Sequence, residues 1–395
     1  MFAQLVSVAT HLPVWGTDAV RVAGPDEDAI TLAVAAGRAA LASAPTVAIE
    51  RVVVVTRDLP VLEGGSTAVL LAGLDLPAST LATEVLGGAT AALDQLADAR
   101  PGTLVIGVDA VDGAGAGAAV SGGSGLTLTP VGRSDASLPT HVRDAQGQVS
   151  DYDDARLLRD RGVIAGIARL GLAAAPDVVV GIGPKDARQL APATPALPAR
   201  GASAPFFALA TARSGVLVAV DQAAVSAVSV SGEAVVAAHA PAARALPRRK
   251  PGAPVDLAIA LPAYERAFAA KLGLKAGRCT ACGELALPPR RRCLACGDES
   301  GQELVALPRD GEVYTAVTIH VPVPGLATPY SLAIVELGES GVRALVHVTD
   351  DEPGAIAIGD RGQMLFRLVA VRSGVRDYGY AFAPTRAAET AGVAA

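Results

Sequence analysis

Cysteine is scarce in this chain, and its scarcity excludes a whole class of chemistry. The 395 residues contain four cysteines, and all four lie in one short segment: Cys279, Cys282, Cys293 and Cys296. The rest of the chain therefore offers no thiol that can act as a catalytic nucleophile. Because paired thiols without other cysteines are typical of a reducing compartment, we expect a cytoplasmic protein.

Three further features that the sequence lacks narrow the range of expected partners and locations. Hydrophobic residues make up 51% of the chain, but no run of about 18 uninterrupted apolar residues occurs, so we expect no membrane partner. Residues 1–6 have no basic segment ahead of an apolar one, so we expect no secretory signal. Aromatic residues make up 3% of the chain and the net charge is −6, which disfavours nucleic acid as a partner.

The four cysteines have the spacing of a metal site. They form two Cys-x2-Cys pairs that are ten residues apart, and a glycine follows each pair, at Gly283 and Gly297. Glycine lets the backbone turn beneath a metal, and two such pairs can place four thiolates around one Zn²⁺. Four thiolates leave no open position for water, so we predict a structural zinc rather than a catalytic one.

The first 245 residues alternate between strand-like and helix-like patterns. This alternation predicts a layered α/β/α domain with mainly parallel strands, built as two halves at about residues 1–140 and 141–245. The clearest predicted elements are strands at Gln4–Leu12, Arg51–Thr56 and Thr103–Val108 and helices at Asp26–Ala42 and within Thr83–Ala97. We interpret the glycine-rich run Gly113–Gly125 as close backbone packing, because it lacks the Gly-Lys-Ser/Thr of a phosphate-binding loop.

The C-terminal third has a different composition. Residues 246–260 are proline-rich and basic and are interpreted as a linker, and Leu261–Leu272 is predicted to be a helix leading into a zinc ribbon that extends to residue 302. Residues 303–386 carry short strand patterns separated by Gly, Pro and Asp, which predicts a five-stranded OB-fold barrel. Residues 387–395 are expected to form a flexible tail.

Several motifs of residues 261–386 together resemble the acyl-CoA-associated zinc-ribbon/OB-fold family. The matching segments are Tyr264–Arg266, Arg278–Gly283, Pro288–Cys293, Pro322–Ala327, Tyr330–Ala333 and Asp377–Tyr380. Members of that family typically accompany thiolase-superfamily proteins, as partner chains or as fusions. The resemblance therefore implies a protein that helps to handle acyl-CoA.

The first 245 residues resemble a shortened thiolase-superfamily domain, nearest the hydroxymethylglutaryl-CoA synthase and ketoacyl synthase III branch. The matching segments are Thr83–Leu93, Gly115–Ala119, Asp151–Tyr152, Gly201–Leu209 and His239–Pro241. Family members acylate a cysteine at the start of the helix that corresponds to Thr90–Ala97. Here that position falls within Leu86–Gly88, which holds no residue that can be acylated.

The resemblance implies three candidate catalytic residues. His239 fits the His-x-Pro position that contacts the thioester carbonyl or the nucleophile, although a histidine at a strand end before a linker explains it equally well. Asp58 stands near the place of the synthase glutamate, in the context Thr56-Arg57-Asp58. Tyr152 is a candidate because some thiolase-like aldolases use tyrosine or histidine instead of cysteine; a surface role is the alternative.

Arg290, Arg291 and Arg292 lie between the two cysteine pairs. Arginine binds phosphate through a planar fork, so these residues are candidates for the phosphates of an acyl-CoA. A solvated basic loop is the other interpretation of the same run.

These observations predict a degenerate, non-condensing thiolase-like protein that binds acyl-CoA, a catalytic thiolase subunit, or both. Its expected partners are a thiolase-family subunit or a second copy of itself, and its expected cofactor is structural Zn²⁺. The alternative is a cysteine-independent carbon–carbon lyase, aldolase or acyltransferase acting on a (3-hydroxy)acyl-CoA, which needs a base and an oxyanion site. An OB barrel that binds nucleic acid is a third possibility, which the acidic charge and the few aromatics disfavour.

Overall fold

A computed structural model of the chain describes residues 2–61, 63–111, 113–144, 147–152, 154–198, 201–253, 258–321 and 324–386. The predicted tail at 387–395 lies outside the described residues, as do residues 254–257 of the predicted linker and residues 322 and 323 of the Pro322–Ala327 motif.

The first half of the α/β domain begins with a buried strand and ends with a strand that pairs antiparallel with the one before it. In chain order it contains β1 Ala3–His11, α1 Ala29–Ala42, β2 Arg51–Thr56, α2 Ser66–Gly73, β3 Leu81–Leu86, α3 Ala89–Ala97, β4 Thr103–Asp109 and β5 Gly115–Ser121. The strand order is β3-β2-β4-β5-β1, with β2 parallel to β3 and β4. Since β2 is buried between two parallel neighbours, its run of four valines is the sequence expected for such a strand.

The second half continues the same sheet through β6. Its elements are β6 Leu126–Asp135, the hairpin β7 His141–Arg143 and β8 Val149–Asp151, α4 Ala155–Leu157, a π-helical stretch Leu158–Ile164, α5 Ala165–Arg169, β9 Val178–Val180, α6 Pro184–Leu190, α7 Ala204–Leu209, β10 Ser214–Asp221, β11 Ala224–Ser231 and β12 Val235–His239. The strand order β6-β11-β10-β9 mirrors β1-β5-β4-β2 of the first half. A counterpart of β3 is not found among the described residues. At the outer edge of β9, where such a strand would lie, the side chain of Thr194 accepts a hydrogen bond from the N–H of Val179, at 3.1 Å.

The two halves enclose a central helical layer. Helix α3 contacts β2 and β4 of the first half and β6, β10 and β11 of the second, and α7 packs beside it. The ring of Phe206 on α7 lies directly on the sheet, where a Cβ on Gly117 would stand 2.2 Å from the Cβ of Phe206. Glycine at 117 is therefore required for this close approach. Helices α1 and α2 cover the outer face of the first half, and the α4–α5 segment covers that of the second.

The C-terminal third forms a helix, a small ribbon and a barrel. Helix α8 is Leu261–Leu272, as predicted, and the ribbon contains β13 Lys275–Cys279, β14 Leu285–Ala286 and β15 Gln302–Ala306. The barrel strands are β16 Asp310–Ile319, β17 Tyr330–Leu337, β18 Arg343–His347, β19 Arg361–Arg372 and β20 Val375–Pro384, in the order β18-β17-β16-β19-β20. A parallel bridge between Val348 and Phe382 brings the two edges together. The predicted fold class, a layered α/β domain followed by an OB-fold, is confirmed. The prediction of mainly parallel strands was wrong, because the described pairings of the ten-stranded sheet are four parallel and five antiparallel.

The barrel is packed on the outer helices of the first half. The Phe366 ring lies next to Gly73 of α2, and Arg38 of α1 donates a 2.8 Å hydrogen bond to the hydroxyl of Tyr380. The Tyr378 hydroxyl donates to Asp28, at 2.7 Å, the residue whose carboxylate also caps the start of α1. One apolar core therefore continues from α1 and α2 into the barrel. Within the described residues, no helix has both the length and the apolar character needed to cross a membrane.

Candidate functional site

The four cysteines lie on two turns with the same backbone geometry. The N–H of Gly283 donates to the carbonyl of Cys279 at 2.9 Å, and the N–H of Gly297 donates to the carbonyl of Cys293 at 3.0 Å. Both glycines adopt a positive φ, +79° and +76°, which glycine reaches without a steric penalty. These paired turns place all four sulfur atoms on the same side of the ribbon.

The four sulfur atoms fit a tetrahedral metal ion. All four lie within 4.8 Å of one another. The Sγ atoms of Cys279 and Cys296 are 3.7 Å apart, and those of Cys282 and Cys293 are 3.6 Å apart. A tetrahedron with Zn–S bonds of about 2.3 Å separates its sulfurs by about 3.8 Å. The cluster can hold one metal ion, and its four thiolates occupy every position of a tetrahedral sphere.

The arginines of the ribbon line a cavity beside the metal cluster. Arg290, Arg291 and Arg292 line a space of about 240 Å³ between the ribbon and the barrel, and Arg343 of β18 lines the same space. Sequence reasoning identified the three ribbon arginines but not Arg343, which is about 50 residues further along the chain. The same cavity is lined by Cys279 and Cys293, so the cationic surface and the metal cluster are neighbours.

His239 is the last residue of strand β12. This strand runs parallel to β1, and the register places His239 opposite His11. The two imidazole rings are stacked, with centroids 4.8 Å apart and planes inclined by 9°. Burial holds the pKa of His11 well below its usual range, and the neighbouring His239 and Arg367 lower it further. The Nε2 atom of His11 is buried and makes no hydrogen bond within the described structure. This histidine pair therefore belongs to the junction between the α/β domain and the barrel.

Arg367 of β19 is the centre of that junction. Its guanidinium lies 2.7 Å from Asp350, 3.2 Å from Glu27 and 3.8 Å from Asp26. Burial raises the pKa of Glu27 to about 7, Arg367 opposes the rise, and the other two carboxylates add to it. Three carboxylates thus surround one buried cation, and the pKa of Asp26 is also raised, again chiefly by burial.

The sheet register separates His239 from the position that would hold a nucleophile. Paired residues form one continuous row across the sheet, in the order His239, His11, Ala116, Val108, Thr56 and Leu86. Since neighbouring strands are about 4.8 Å apart, five steps place His239 about 24 Å along the sheet from Leu86. The structure does not bring His239 together with the Leu86–Gly88 segment.

Asp58 lies near the other end of that row, two residues after Thr56. Asp58 follows β2, and its carboxylate accepts hydrogen bonds from the N–H groups of Ala110, at 2.9 Å, and Val111, at 3.1 Å. Arg143 of the β7–β8 hairpin lies 3.7 Å from the same carboxylate. Tyr152 follows that hairpin, and 71% of its surface is exposed. The hairpin contacts Asp58 through Arg143, and the catalytic roles of Asp58 and Tyr152 stay predictions.

The start of helix α3 is occupied by an ion pair that sequence reasoning missed. Gly88 is the residue immediately before α3. Arg57 donates to both carboxylate oxygens of Asp221, each at 2.6 Å. A Cβ built on Gly88 would stand 2.5 Å from Asp221 Oδ2 and 3.4 Å from the guanidinium carbon of Arg57. The space next to Gly88 is therefore filled by this pair.

A second carboxylate stands at the start of the other central helix. Asp109, which ends β4, accepts hydrogen bonds from the N–H groups of Ala202 and Ser203, at 2.8 and 3.0 Å, and from the Ser203 hydroxyl at 2.5 Å. Burial raises the pKa of Asp109, and its bonds to Ser203 oppose that rise. Asp109 and Asp221 end equivalent strands of the two halves. Each half thus provides a carboxylate to the central helix of the other.

The sequence carried a weak signal for both carboxylates. Asp109 and Asp221 each follow an apolar strand pattern directly, at the carboxyl end where parallel strands of an α/β sheet present functional groups. Sequence alone does not indicate that Arg57 reaches Asp221, because 164 residues separate them.

Comparison with known proteins finds sequence relatives for part of the chain. Residues 304–367 match the family described as "ChsH2, C-terminal OB-fold domain". A DUF35 domain-containing scaffold protein of Methanothermobacter thermautotrophicus is 32% identical over 118 residues, which are 29% of this chain and 88% of that protein. The benzoylsuccinyl-CoA thiolase subunit BbsA of Geobacter metallireducens is 42% identical over 67 residues, which are 17% of this chain and 44% of that subunit.

Solved structures resemble the larger part of the chain. A crystal structure of 3-oxoacyl-(acyl-carrier-protein) synthase III covers 59% of this chain and 100% of its own, with 18% sequence identity and a TM-score of 0.45.

Proposed function

Because this chain belongs to the DUF35-domain family, we propose that it is a non-condensing, thiolase-like subunit that serves acyl-CoA metabolism by holding a catalytic thiolase-fold partner and a CoA thioester. Family membership rests on 29% of the chain, so the activity of the whole protein is part of the proposal.

The observation that carries the proposal is the filled start of helix α3. A thiol at a helix N-terminus has a lowered pKa and reacts as a thiolate. This chain has Gly88 at the corresponding place, with the Arg57–Asp221 ion pair against it. Neither glycine nor an ion-paired carboxylate provides an acylation site with room for a thioester. These features support a thiolase-like fold whose role is binding rather than condensation.

Strand β3 is the proposed surface for the partner. It is an edge of the ten-stranded sheet, and two of its apolar side chains, Leu81 and Leu86, are 60% and 68% exposed. An edge strand with exposed apolar residues presents unpaired N–H and C=O groups that a second chain can pair with. The two relatives, a scaffold protein and a thiolase subunit, support a partner of the thiolase fold. The partner is either a catalytic subunit or a second copy.

The remaining features are assigned within the same function. The ion at Cys279, Cys282, Cys293 and Cys296 is proposed to be a structural Zn²⁺, since four thiolates at these distances suit it. Arg290, Arg291 and Arg292 are proposed to contact the phosphates of the thioester. A cytoplasmic location is proposed because the four thiols need reducing conditions to bind a metal.

Two measurements on the purified, zinc-loaded chain test the proposal. Calorimetric titration with acetyl-CoA and acetoacetyl-CoA is expected to give micromolar binding, and assays for thiolysis and condensation are expected to give no turnover above a protein-free control. Thiolase or synthase turnover by the chain alone would overturn the non-condensing role. Retro-aldol cleavage of a 3-hydroxyacyl-CoA that is lost in His239→Ala or Tyr152→Phe would instead establish the lyase alternative.

A further inference from the structure

The cysteine cluster is open to solvent on its outer side. Cys282 and Cys296 are exposed and Cys293 is half-buried, whereas Cys279 is buried. The residues of the two turns, from 280 to 283 and from 294 to 297, are all exposed. Three of the four cysteines are therefore accessible to a small molecule dissolved in water.

Sulfur atoms that belong to different turns lie close together. The Sγ atoms of Cys282 and Cys293 are 3.6 Å apart, and those of Cys279 and Cys296 are 3.7 Å apart. A disulfide needs its two sulfur atoms at about 2.05 Å, so a further approach of about 1.6 Å would join either pair. Each such bond would link the first turn of the ribbon to the second.

Exposure favours one of these two pairs for oxidation. A thiol that coordinates a metal is deprotonated, and the oxidation of a cysteine depends on its thiolate character and its exposure. Cys279 is only 6% exposed, so both members of the Cys282–Cys293 pair are accessible and only one member of the other pair is. All cysteines of the chain lie in this cluster, so an oxidised sulfur here finds its resolving thiolate within the cluster.

We propose that the cluster is a peroxide-sensitive site, at which oxidation joins Cys282 to Cys293 and releases the metal. The Cys282 thiolate attacks one oxygen of hydrogen peroxide, the O–O bond breaks, and hydroxide leaves as a sulfenic acid forms. The Cys293 thiolate attacks that sulfur, the S–O bond breaks, and a second hydroxide leaves. The two sulfurs lose two electrons, which the peroxide accepts. The inference goes beyond the proposed function and rests only on the metal assigned there.

The disulfide weakens metal binding without disturbing the rest of the fold. It removes two of the four thiolates, and the remaining two cannot fill a tetrahedral sphere. Leu274 and Ala276, at the base of the ribbon, are buried in the apolar core that continues into the barrel. The exposed turns can therefore rearrange while β13 keeps its place. A thiol reductant reverses the step by thiol–disulfide exchange.

Trypsin distinguishes a bond between the turns from a bond within one turn. It cuts after Arg278, Arg290 and Arg292, so the first cysteine pair lies in the peptide 279–290 and the second pair in the peptide 293–309. A bond between the turns joins these two peptides, whereas a bond within either turn leaves them separate. Mass spectrometry of the unreduced digest therefore identifies the kind of disulfide.

Titration of the full, zinc-loaded chain with hydrogen peroxide tests the site, with a chromophoric chelator present to record free Zn²⁺. We expect one Zn²⁺ per chain to be released as two of the four thiols are lost and the joined peptide appears. Fragmentation of that peptide should show the bond between Cys282 and Cys293. Reduction followed by addition of Zn²⁺ should restore all four thiols and the bound metal.

Two matched variants test the choice of pair, since each retains three thiols. Cys296→Ser keeps Cys282 and Cys293, and Cys282→Ser keeps Cys279 and Cys296. We expect peroxide to join the peptides several-fold faster in Cys296→Ser, and equal rates would overturn the assignment to Cys282 and Cys293. Disulfides confined to one turn, or sulfinic acid without the joined peptide, would overturn the peroxide-sensitive site and leave the metal assignment in place. A fully reduced chain that binds no Zn²⁺ would instead overturn the metal assignment of the proposed function.

Discussion

The guanidinium of Arg57 lies 2.6 Å from both carboxylate oxygens of Asp221, and together they cover Gly88 at the start of helix α3. The pair joins the two halves of the α/β domain, because Arg57 follows β2 and Asp221 ends β10. It also occupies the start of helix α3, a position at which a helix N-terminus would stabilise a thiolate. The same contact that connects the halves thus excludes a nucleophile.

A cysteine introduced at residue 88 is expected to destabilise the protein unless the Arg57–Asp221 ion pair is also removed. In Gly88→Cys the new Cβ would lie 2.5 Å from Asp221 Oδ2, so we expect a loss of about 1–3 kcal/mol of stability, as overpacking usually causes. In the double variant with Asp221→Ala the clash disappears and Arg57 is left next to the thiol. We expect this thiol to have a lowered pKa and to react quickly with iodoacetamide.

The measurement is the rate of alkylation at residue 88, followed by peptide mass spectrometry between pH 6 and pH 9. The zinc-loaded protein is used so that the four ribbon cysteines are protected by the metal. Equal alkylation rates in the single and double variants would show that Asp221 does not fill the space. No condensing activity is expected in either variant.

The elements that sequence predicts well are those that local pattern determines. The valines of Arg51–Thr56 and the helix Leu261–Leu272 were both placed correctly, because apolar periodicity and the flanking residues define them. The two cysteine pairs likewise predict the cluster that the structure assembles. Each of these features depends on residues that are close together in the chain.

The features that sequence does not reveal depend on distant partners. Val235–His239 has no strong strand pattern of its own, and most of its residues are exposed. It becomes a strand because β1, more than 200 residues earlier, offers it a parallel edge. The stacking of His239 on His11 and the pairing of Arg57 with Asp221 follow from such long-range packing, so neither could be predicted from spacing.

The carboxylates around Arg367 predict a stability that falls as pH rises. The pKa of Glu27 is raised to about 7 in the folded protein from a usual value of 4.5. Between these pH values the folded state binds a proton that the unfolded state has released, so the contribution of Glu27 to stability is present below pH 4.5 and is lost as pH rises through 7. At about 1.36 kcal/mol for each pKa unit, the change is at most about 3.4 kcal/mol.

Glu27→Gln is expected to remove this dependence, because the amide keeps the size of the side chain and does not titrate. Urea unfolding at pH 5 and pH 8 measures it: the variant and the parent should be similar at pH 5, and the variant should be more stable at pH 8. Glu265→Gln, on the exposed face of α8, is the control and should follow the parent at both pH values. A difference in stability between Glu27→Gln and the parent that is the same at pH 5 and at pH 8 would contradict the assignment.

The buried His11 predicts a stability that falls as the pH decreases below 6.5. Its pKa is held well below the usual 6.5 by burial, with His239 and Arg367 adding to the effect. Below pH 6.5 the unfolded state therefore binds a proton that the folded state does not, and stability falls as pH decreases. His11→Gln should lose less stability than the parent between pH 7 and pH 5.5, whereas His141→Gln, on the exposed β7–β8 hairpin, should behave like the parent. Identical pH profiles for His11→Gln and the parent would contradict it.

Metal removal is expected to act locally on the C-terminal third. The chain should contain one zinc per molecule, measured by inductively coupled plasma spectrometry, and Cys293→Ser should lose it because three thiolates bind Zn²⁺ more weakly than four.

Without its metal, the ribbon has few apolar residues to hold it together, since most side chains of residues 280–301 are exposed or half-buried. In strands β2 and β4, every side chain except those of Arg51 and Asp109 is buried in the α/β domain. Hydrogen exchange after chelation should therefore accelerate in residues 275–306 and stay slow in residues 51–56 and 103–109.

Ser300→Ala is the control, because this change in the ribbon leaves the four thiols in place. The variant should retain the metal, and hydrogen exchange in its ribbon should stay slow. Uniform acceleration throughout the chain would mean that the metal stabilises the whole protein, and unchanged exchange in the ribbon would mean that the cysteine turns are stable without it.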